Sequence, residues 1–249
     1  MNTAQKNPAT DVTNPAIDVR DLVYRRGGRT ILDHVSFRAE PGDVLALIGP
    51  NGSGKSSTLR CLLGLARPAS GTVDINGASY RQHGTASGVG VALDNSGFNP
   101  HHRGRDALRI RAAAMGLRGE PARSAISRAL SIVGMTEVAG QRIGRYSYGM
   151  RQRLGLAGAL LGSPRTLVLD EPSNGLDPAG IRWLREFITD FAALGGTVLV
   201  TSHNLSEMTR SATRFAVIDN GRITSAPAAG EIDDLEAHFF AHTSQTAAH

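Results

Sequence analysis

A glycine-rich run of eight residues constrains the fold of this chain more than any other feature. It reads Gly49-Pro50-Asn51-Gly52-Ser53-Gly54-Lys55-Ser56, a G-x-x-x-x-G-K-S pattern, and Ser57 follows it. The apolar run Val44–Ile48, which is typical of a buried parallel strand, comes directly before it. Glycines let the backbone turn tightly, so that successive N–H groups point at phosphate oxygens, and the following helix adds its positive end. The pattern therefore predicts a strand, a phosphate-binding loop and a helix.

The lysine of this run stands out because lysine is rare in the chain. Of the 27 basic residues only Lys6 and Lys55 are lysines, and the others are arginines. An ammonium on a flexible stem can reach the β- and γ-phosphates of a nucleotide as a point charge, where a planar guanidinium would fit poorly. The hydroxyl of Ser56 would be a ligand for Mg²⁺.

Composition limits the class of protein. The chain has 249 residues with 41% hydrophobic residues, enough for one domain of ordinary size with a sizeable core. A single cysteine, Cys61, argues against a disulfide-stapled fold and is most simply a buried packing residue. No segment approaches the roughly 20 apolar residues of a membrane-spanning helix, and residues 1–16 predict a disordered tail without a secretory signal. The net charge of +5 is weak evidence for an anionic partner, since solubility alone explains it.

The order of patterns along the chain predicts an α/β fold. An N-terminal β-rich stretch (residues 17–24 and 35–39) precedes Val44–Ile48, and strand patterns return at 166–169 and 197–201. The phosphate-loop helix should run to about Leu65, and a C-terminal helix should begin at Glu231. Residues 99–162 are rich in Ala, Arg and Leu at helical spacing. We therefore expect a catalytic core at 17–98 and 163–226, an inserted all-helical subdomain at 99–162, and a short helix with a polar tail at 227–249.

Two acidic residues end the predicted strand at 166–169. Asp170 can hold Mg²⁺ through water opposite Ser56. Glu171 follows where the chain turns, so its carboxylate can face the terminal phosphate and orient or deprotonate an attacking water. A solvated acidic pair at a loop is the alternative, but a complete phosphate loop in the same chain favours the catalytic interpretation.

Further motifs follow in a recognisable order. Ser147-Tyr148-Gly149-Met150-Arg151-Gln152 places a Ser and a Gly at the start of a helical run, Ser173–Asp177 follows Glu171, and His203 follows an apolar strand. With Gly49–Ser56 and Asp170-Glu171 in their places, the chain from about Ile17 to Ile223 resembles the ATP-binding-cassette (ABC) transporter ATPases. The run Gly149–Arg153 resembles the bacitracin-type antibiotic and multidrug export branch.

The resemblance implies a fold and a mechanism. It implies a P-loop NTPase with a RecA-like core, an N-terminal antiparallel β-subdomain and the helical insertion. It implies that ATP and Mg²⁺ bind at the phosphate loop, that Glu171 and Lys55 act in hydrolysis and that His203 contacts the γ-phosphate. It further implies a head-to-tail dimer, homomeric or heteromeric, in which Ser147, Gly149 and Asp177 contact the nucleotide site of a second cassette.

The partners implied are a membrane-spanning permease and that second cassette. The chain itself would lie peripherally at the cytoplasmic face of the cell membrane, and no nucleic-acid partner is expected. Its ATPase would power export of antibiotic, peptide or lipid-like compounds. An importer ATPase and a non-transport ABC ATPase are the alternatives; a small-molecule P-loop kinase would leave Ser147–Arg153 and His203 without a role.

Three positions depart from the family pattern. Tyr148 replaces a glycine of the usual signature and adds bulk beside the phosphate. Asp94 stands where a glutamine usually contacts Mg²⁺, and its carboxylate can ligate the ion directly. The aromatic residue that normally stacks on adenine corresponds to Arg26 or to Tyr24 on the same strand face; we favour Tyr24.

Overall fold

The computed structural model describes residues 14–79, 88–93 and 97–243. Within these ranges the strands are β1 (Ile17–Arg26), β2 (Arg29–Ala39), β3 (Val44–Ile48), β4 (Ser70–Ile75), β5 (Ala78–Ser79), β6 (Val89–Ala92), β7 (Thr166–Asp170), β8 (Thr197–Ser202), β9 (Arg214–Asp219) and β10 (Arg222–Ser225). The α-helices are α1 (Lys55–Leu62), α2 (Gly104–Ala114), α3 (Gly119–Ile132), α4 (Tyr148–Leu160), α5 (Pro178–Ala193), α6 (Leu205–Met208) and α7 (Leu235–His242). Asp94 lies outside the described residues.

The strands form two sheets. An antiparallel sheet has the order β2-β1-β4-β5, and a second sheet has the order β10-β9-β3-β8-β7-β6. In the second sheet β3 pairs parallel with both β8 and β9, β7 pairs parallel with β6 and β8, and β10 returns antiparallel to β9. Strands that run parallel end at the same edge, and the glycine-rich run, Glu171 and His203 follow β3, β7 and β8 at that edge.

Strand β3 is apolar throughout because the core covers both of its faces. Val44, Ala46 and Ile48 contact one hydrophobic cluster, which continues into the helices, whereas Leu45 and Leu47 contact a second cluster beneath the antiparallel sheet. Successive side chains of a strand point to opposite faces, so only a continuous apolar run suits this position. Each of the Val, Leu and Ile side chains contributes about 1.5–3 kcal/mol by burial.

Residues 99–162 contain α2, α3 and α4 and no strand among the residues described. Leu108, Leu130 and Leu154, one from each helix, are fully buried in the first cluster. These helices therefore pack on the same core that covers one face of the parallel strands.

Two helix boundaries differ from the sequence-based expectation. Helix α1 ends at Leu62, because Gly64 adopts φ 69° and the N–H of Leu65 turns back to donate to the carbonyl of Arg60. Helix α7 begins at Leu235, not at Glu231, because the side chain of Asp234 accepts hydrogen bonds from the first N–H groups of that helix. The expected boundaries at Leu65 and Glu231 were wrong for these reasons.

The turn between β9 and β10 holds the phosphate loop against the rest of the fold. The N–H of Gly221 donates to the carbonyl of Ser53 at 2.9 Å, and its own carbonyl accepts from the N–H of Asp33 at 2.8 Å. Gly221 has φ 77°, and a Cβ there would lie 2.3 Å from the carbonyl oxygen of Ile31. Only glycine suits this position, so the turn links β2 and the phosphate loop through backbone contacts.

A pair of glycine substitutions tests this link. In Gly221→Ala the left-handed backbone costs about 1–2 kcal/mol and the overlap with Ile31 about 1–3 kcal/mol more. Gly195→Ala is the matched control, because Gly195 has φ 86° and nothing lies within 4 Å of its added Cβ. Urea unfolding should show a clearly larger loss for Gly221→Ala, and equal losses would contradict the proposed contact.

Candidate nucleotide site

The loop between β3 and α1 is shaped by close approach and by left-handed backbone. A Cβ on Gly49 would lie 2.2 Å from the carbonyl oxygen of Ile218, so the loop can pass β9 only with glycine there. Gly54 has φ 116° and precedes the first residue of α1. The N–H groups of the first turn of a helix have no intrahelical acceptors. The local sequence thus directs several backbone donors into one concave loop, as the pattern predicts.

Lys55 begins α1 and turns its ammonium back over the loop. Its Nζ donates to the carbonyl oxygens of Gly49 at 2.7 Å and Pro50 at 3.2 Å, and lies 3.7 Å from Oε1 of Glu171. Burial lowers the pKa of Lys55, and the negative charges of Glu171 and Asp170 oppose that shift. A partly desolvated cation at the base of a donor-rich loop is a strong attractor for an anion.

Strand β7 delivers the two acidic residues. Asp170 ends the strand, and its Oδ1 accepts a hydrogen bond from Oγ1 of Thr201 at 2.6 Å. Glu171 follows with φ 46°, and its N–H donates to the same Oγ1 at 2.9 Å. The left-handed turn at Glu171 redirects the chain at the strand end, so the two neighbouring carboxylates serve different positions.

The carboxylate of Glu171 joins Lys55 to His203. Its Oε2 lies 2.8 Å from Nδ1 of His203 and accepts from the N–H of His203 at 3.3 Å. A carboxylate at this contact can only accept, so Nδ1 carries the proton when the contact forms a hydrogen bond. The side chain of Glu171 is 14% exposed and that of His203 is 50% exposed, so the pair faces the opening of the site.

A cleft of about 370 Å³ collects these groups. Its lining residues are Ile31, Asn51, Gly52, Gly54, Lys55, Ser56, Ser57, Glu171, Asn174 and His203. The structure therefore brings together the phosphate loop, Glu171 and His203 in one concave site. Ile31 and Asn174 also line the cleft but were not among the predicted site residues. Ile31 is an aliphatic residue of β2 and belongs to no motif. Asn174 lies within the motif segment Ser173–Asp177, which was the signal that could have identified it.

Other predicted site residues lie elsewhere in the described structure. Tyr24 is partly buried against the cluster beneath the antiparallel sheet and does not line the cleft. Asp177 caps α5, because its Oδ1 accepts from the N–H of Gly180 at 2.8 Å. Adenine stacking by Tyr24 and the nucleotide contact of Asp177 stay predictions.

The segment 147–149 forms the start of α4. The Oγ of Ser147 accepts from the N–H of Met150 at 3.2 Å, so Ser147 is the N-cap. The aromatic ring of Tyr148 lies against Gly175, where an added Cβ would be 2.9 Å from the ring. Neither Ser147 nor Gly149 is among the described residues that line the cleft. Within one chain the structure thus brings this segment to Ser173–Asp177 and not to the phosphate loop.

Comparison with known proteins places the chain in a family. The sequence profile described as "ABC transporter" matches residues 32–174. A bacitracin transport ATP-binding protein of Bacillus licheniformis is 35% identical over 210 residues, covering 83% of this chain and 68% of that protein. A lantibiotic transport ATP-binding protein of Streptococcus pyogenes is 35% identical over 207 residues, covering 83% of this chain and 88% of that protein.

The fold agrees with the sequence comparison. A solved structure described as the ATP-binding subunit of an ABC transporter superposes with a TM-score of 0.79 at 27% identity, covering 91% of this chain and 94% of that one. The predicted fold class and the predicted similarity to the bacitracin-type branch are confirmed. No helix among the described residues is long and apolar enough to cross a membrane.

The phosphate loop, the acidic strand end and the histidine meet in one cleft, in a chain that matches the family over most of its length. The chain belongs to the ABC transporter ATP-binding domains, a family whose members bind and hydrolyse ATP.

Proposed function

We propose that this chain is the ATP-hydrolysing subunit that powers a separate membrane-spanning permease, and that the permease exports antibiotic, peptide or lipid-like compounds. The observation that carries the hydrolytic part is the position of Glu171 in the cleft, between Lys55 and His203. The similarity to bacitracin and lantibiotic transport ATP-binding proteins supports the export part.

Glu171 suits the role of general base. Its carboxylate is mostly buried, is held in place by His203, and opens to the cleft in which a triphosphate would lie. A positioned carboxylate of this kind accelerates proton transfer by about 10²–10⁴-fold. His203 would keep Glu171 oriented and contact the γ-phosphate from the exposed side of the pair.

The phosphate loop fits a triphosphate by its donors. The hydroxyl of Ser53 is buried and has no hydrogen-bond partner among the described residues, which is costly unless a ligand accepts from it. Lys55 donates to loop carbonyls and can exchange those bonds for phosphate oxygens, which bind an ammonium more strongly. We therefore assign residues 49–57 to the phosphates of ATP.

The oxygen donors present fit Mg²⁺. Ser56 lines the cleft, and Asp170 uses one carboxylate oxygen, Oδ1, for its bond to Thr201. Hydroxyl and carboxylate oxygens are the hard ligands that Mg²⁺ prefers, together with water and substrate phosphates. Ser56 and Asp170, with Asp94 as a further carboxylate, would hold the ion, which neutralises phosphate charge when bound.

The second half of each nucleotide site would come from another cassette. Ser147 and Gly149 start α4, a helix of 13 residues whose N-terminal end favours an anion. Because Ser147 and Gly149 do not line the cleft of their own chain, they are available to contact the γ-phosphate of ATP bound to a second cassette. Asp177 would lie at the same contact, and Tyr24 would stack on adenine.

This proposal implies a place in the cell and a division of the chain. The chain would lie at the cytoplasmic face of the membrane, bound to a permease and to a second cassette of the same or a different kind. Residues 17–226 would form the cassette, with 99–162 as its helical subdomain, after a tail at 1–16 and before the C-terminal segment 227–249. An importer ATPase is less well supported, because the relatives named above are ATP-binding proteins of bacitracin and lantibiotic transport.

Replacing the proposed base tests hydrolysis. Glu171→Gln should lower kcat by about 10²–10⁴-fold and leave ATP binding intact, because the amide keeps the shape of the side chain but cannot accept the proton. Glu186→Gln, at an exposed carboxylate of α5, is the matched control and should keep wild-type turnover. ATPase rates and nucleotide affinity measure the two effects, and normal turnover in Glu171→Gln would dismiss this residue as the base.

A charge placed at the start of α4 tests the two-cassette site. In the Glu171→Gln background, ATP should produce a stable dimer, visible by size-exclusion chromatography. Adding Ser147→Asp should abolish that dimer, because aspartate still caps α4 but repels the partner's γ-phosphate. Ser131→Asp, at an exposed position of α3, is the control and should leave the dimer intact. A dimer that tolerates Ser147→Asp would contradict the assignment of Ser147.

The transport role requires a membrane partner. Affinity purification of the full chain from its own detergent-solubilised membranes should recover a multi-helix membrane protein. Its recovery without a solute-binding protein supports export, whereas an accompanying binding protein would support import. Recovery of ribosomes or DNA instead would overturn the transport proposal.

A further inference from the structure

A buried threonine connects the two acidic residues of the site. Thr201 lies on β8, is fully buried, and pairs in parallel register with Asp170 on β7. It is separated from Asp170 by 31 positions in sequence, and the parallel pairing of the two strands brings them together. Its Oγ1 contacts Asp170 and Glu171, the proposed metal ligand and the proposed base.

The direction of each hydrogen bond follows from the groups involved. A hydroxyl has one proton and two lone pairs, and an ionised carboxylate can only accept. Thr201 therefore donates its proton to Oδ1 of Asp170 at 2.6 Å and accepts the N–H of Glu171 at 2.9 Å. Both roles of the hydroxyl are occupied at once, which makes the arrangement specific for Ser or Thr.

Each bond constrains one part of the site. The bond to Oδ1 restrains rotation of the Asp170 carboxylate and so favours one direction for its other oxygen, Oδ2. The bond to the N–H of Glu171 holds a non-glycine residue at φ 46°, a conformation that costs about 1–2 kcal/mol. That backbone turn is what sends the carboxylate of Glu171 toward Lys55 and His203.

We propose that Thr201 is a positioning residue for ATP hydrolysis, which orients the metal-facing oxygen of Asp170 and aims the carboxylate of Glu171 through one hydroxyl. This inference rests on the proposed function of the cleft. The methyl group of Thr201 contributes by restricting χ1 on a strand, so serine should serve less well than threonine.

The test compares four variants of the full chain. Thr201→Val keeps the shape but removes both hydrogen bonds, Thr201→Cys keeps a weak donor of similar size, and Thr201→Ser keeps the hydroxyl. Thr197→Val is the matched control: Thr197 lies on the same strand, is also buried, and its Oγ1 accepts from the N–H of Gly42 and donates to the carbonyl of Glu40, at the opposite end of β8 from the site.

Three measurements separate positioning from general damage. We expect Thr201→Val to lower kcat by about 10–100-fold, because misplacing a catalytic group costs a rate factor of this size. The KM for ATP should change less than threefold. It should also raise the Mg²⁺ concentration for half-maximal activation several-fold. Independently of turnover, Mg²⁺ should improve the affinity for a fluorescent ATP analogue less in Thr201→Val than in wild type.

The controls decide the outcome. Thr201→Ser should keep at least a third of wild-type kcat with nearly normal Mg²⁺ dependence. Thr197→Val should have a lower melting temperature but an unchanged kcat. If Thr201→Val does not fold, Thr201→Cys decides by the same measurements, with a smaller expected loss. Wild-type kcat and Mg²⁺ dependence in Thr201→Val, or in Thr201→Cys if the valine variant does not fold, would overturn this inference but not the proposed function. A wild-type chain that neither binds nor hydrolyses ATP would overturn both.

Discussion

The site depends on how the partly desolvated ammonium of Lys55 is held. Two loop carbonyls and the carboxylate of Glu171 hold it, and its pKa is lowered because burial disfavours the charge. A cation held this way gains much from an incoming anion, since a phosphate replaces neutral carbonyls as its partner. The loop, the strand end that carries Glu171 and the turn at Gly221 together keep this charge in place.

The core explains how such a charge is positioned. Strands β3, β7 and β8 are covered on both faces, and their parallel register brings their carboxyl ends to one edge. Because these strands are paired and buried on both faces, the groups that follow them meet at this edge. The ammonium of Lys55, after β3, lies 3.7 Å from the carboxylate of Glu171 at the end of β7, and that carboxylate lies 2.8 Å from Nδ1 of His203, after β8. The site is therefore a product of sheet register more than of local loop structure.

A second set of contacts links the start of α4 to the segment after β7. Tyr148 lies on Gly175, and a Cβ on Gly149 would lie 3.3 Å from Leu176. Farther along α4, the guanidinium of Arg153 lies 3.9 Å from the ring centroid of Trp183 on α5 and donates to the carbonyl of Val133. The bulky Tyr148, which departs from the family pattern, thus packs within its own chain. These contacts fix the segment proposed to face a second cassette relative to the segment that follows Glu171.

The sequence alone determined the local chemistry of this protein. The glycine pattern ending in Lys55 and Ser56 predicted a phosphate loop, because that backbone conformation needs glycine at defined places. The apolar runs predicted the buried strands, because hydrophobic periodicity is a local property of the sequence. The order of motifs identified the family.

Tertiary structure decided which groups meet. In the sequence, Thr201 is recognisable only as the end of a strand, and Ile31 belongs to no motif. Their roles in the site arise from contacts with residues distant in sequence, which the sheets bring together. By contrast, the end of α1 at Leu62 and the start of α7 at Leu235 have local causes, a left-handed glycine and an N-cap, which the apolar pattern did not show. Register between β7 and β8 is a long-range pairing, and only such pairing could place one hydroxyl against both Asp170 and Glu171.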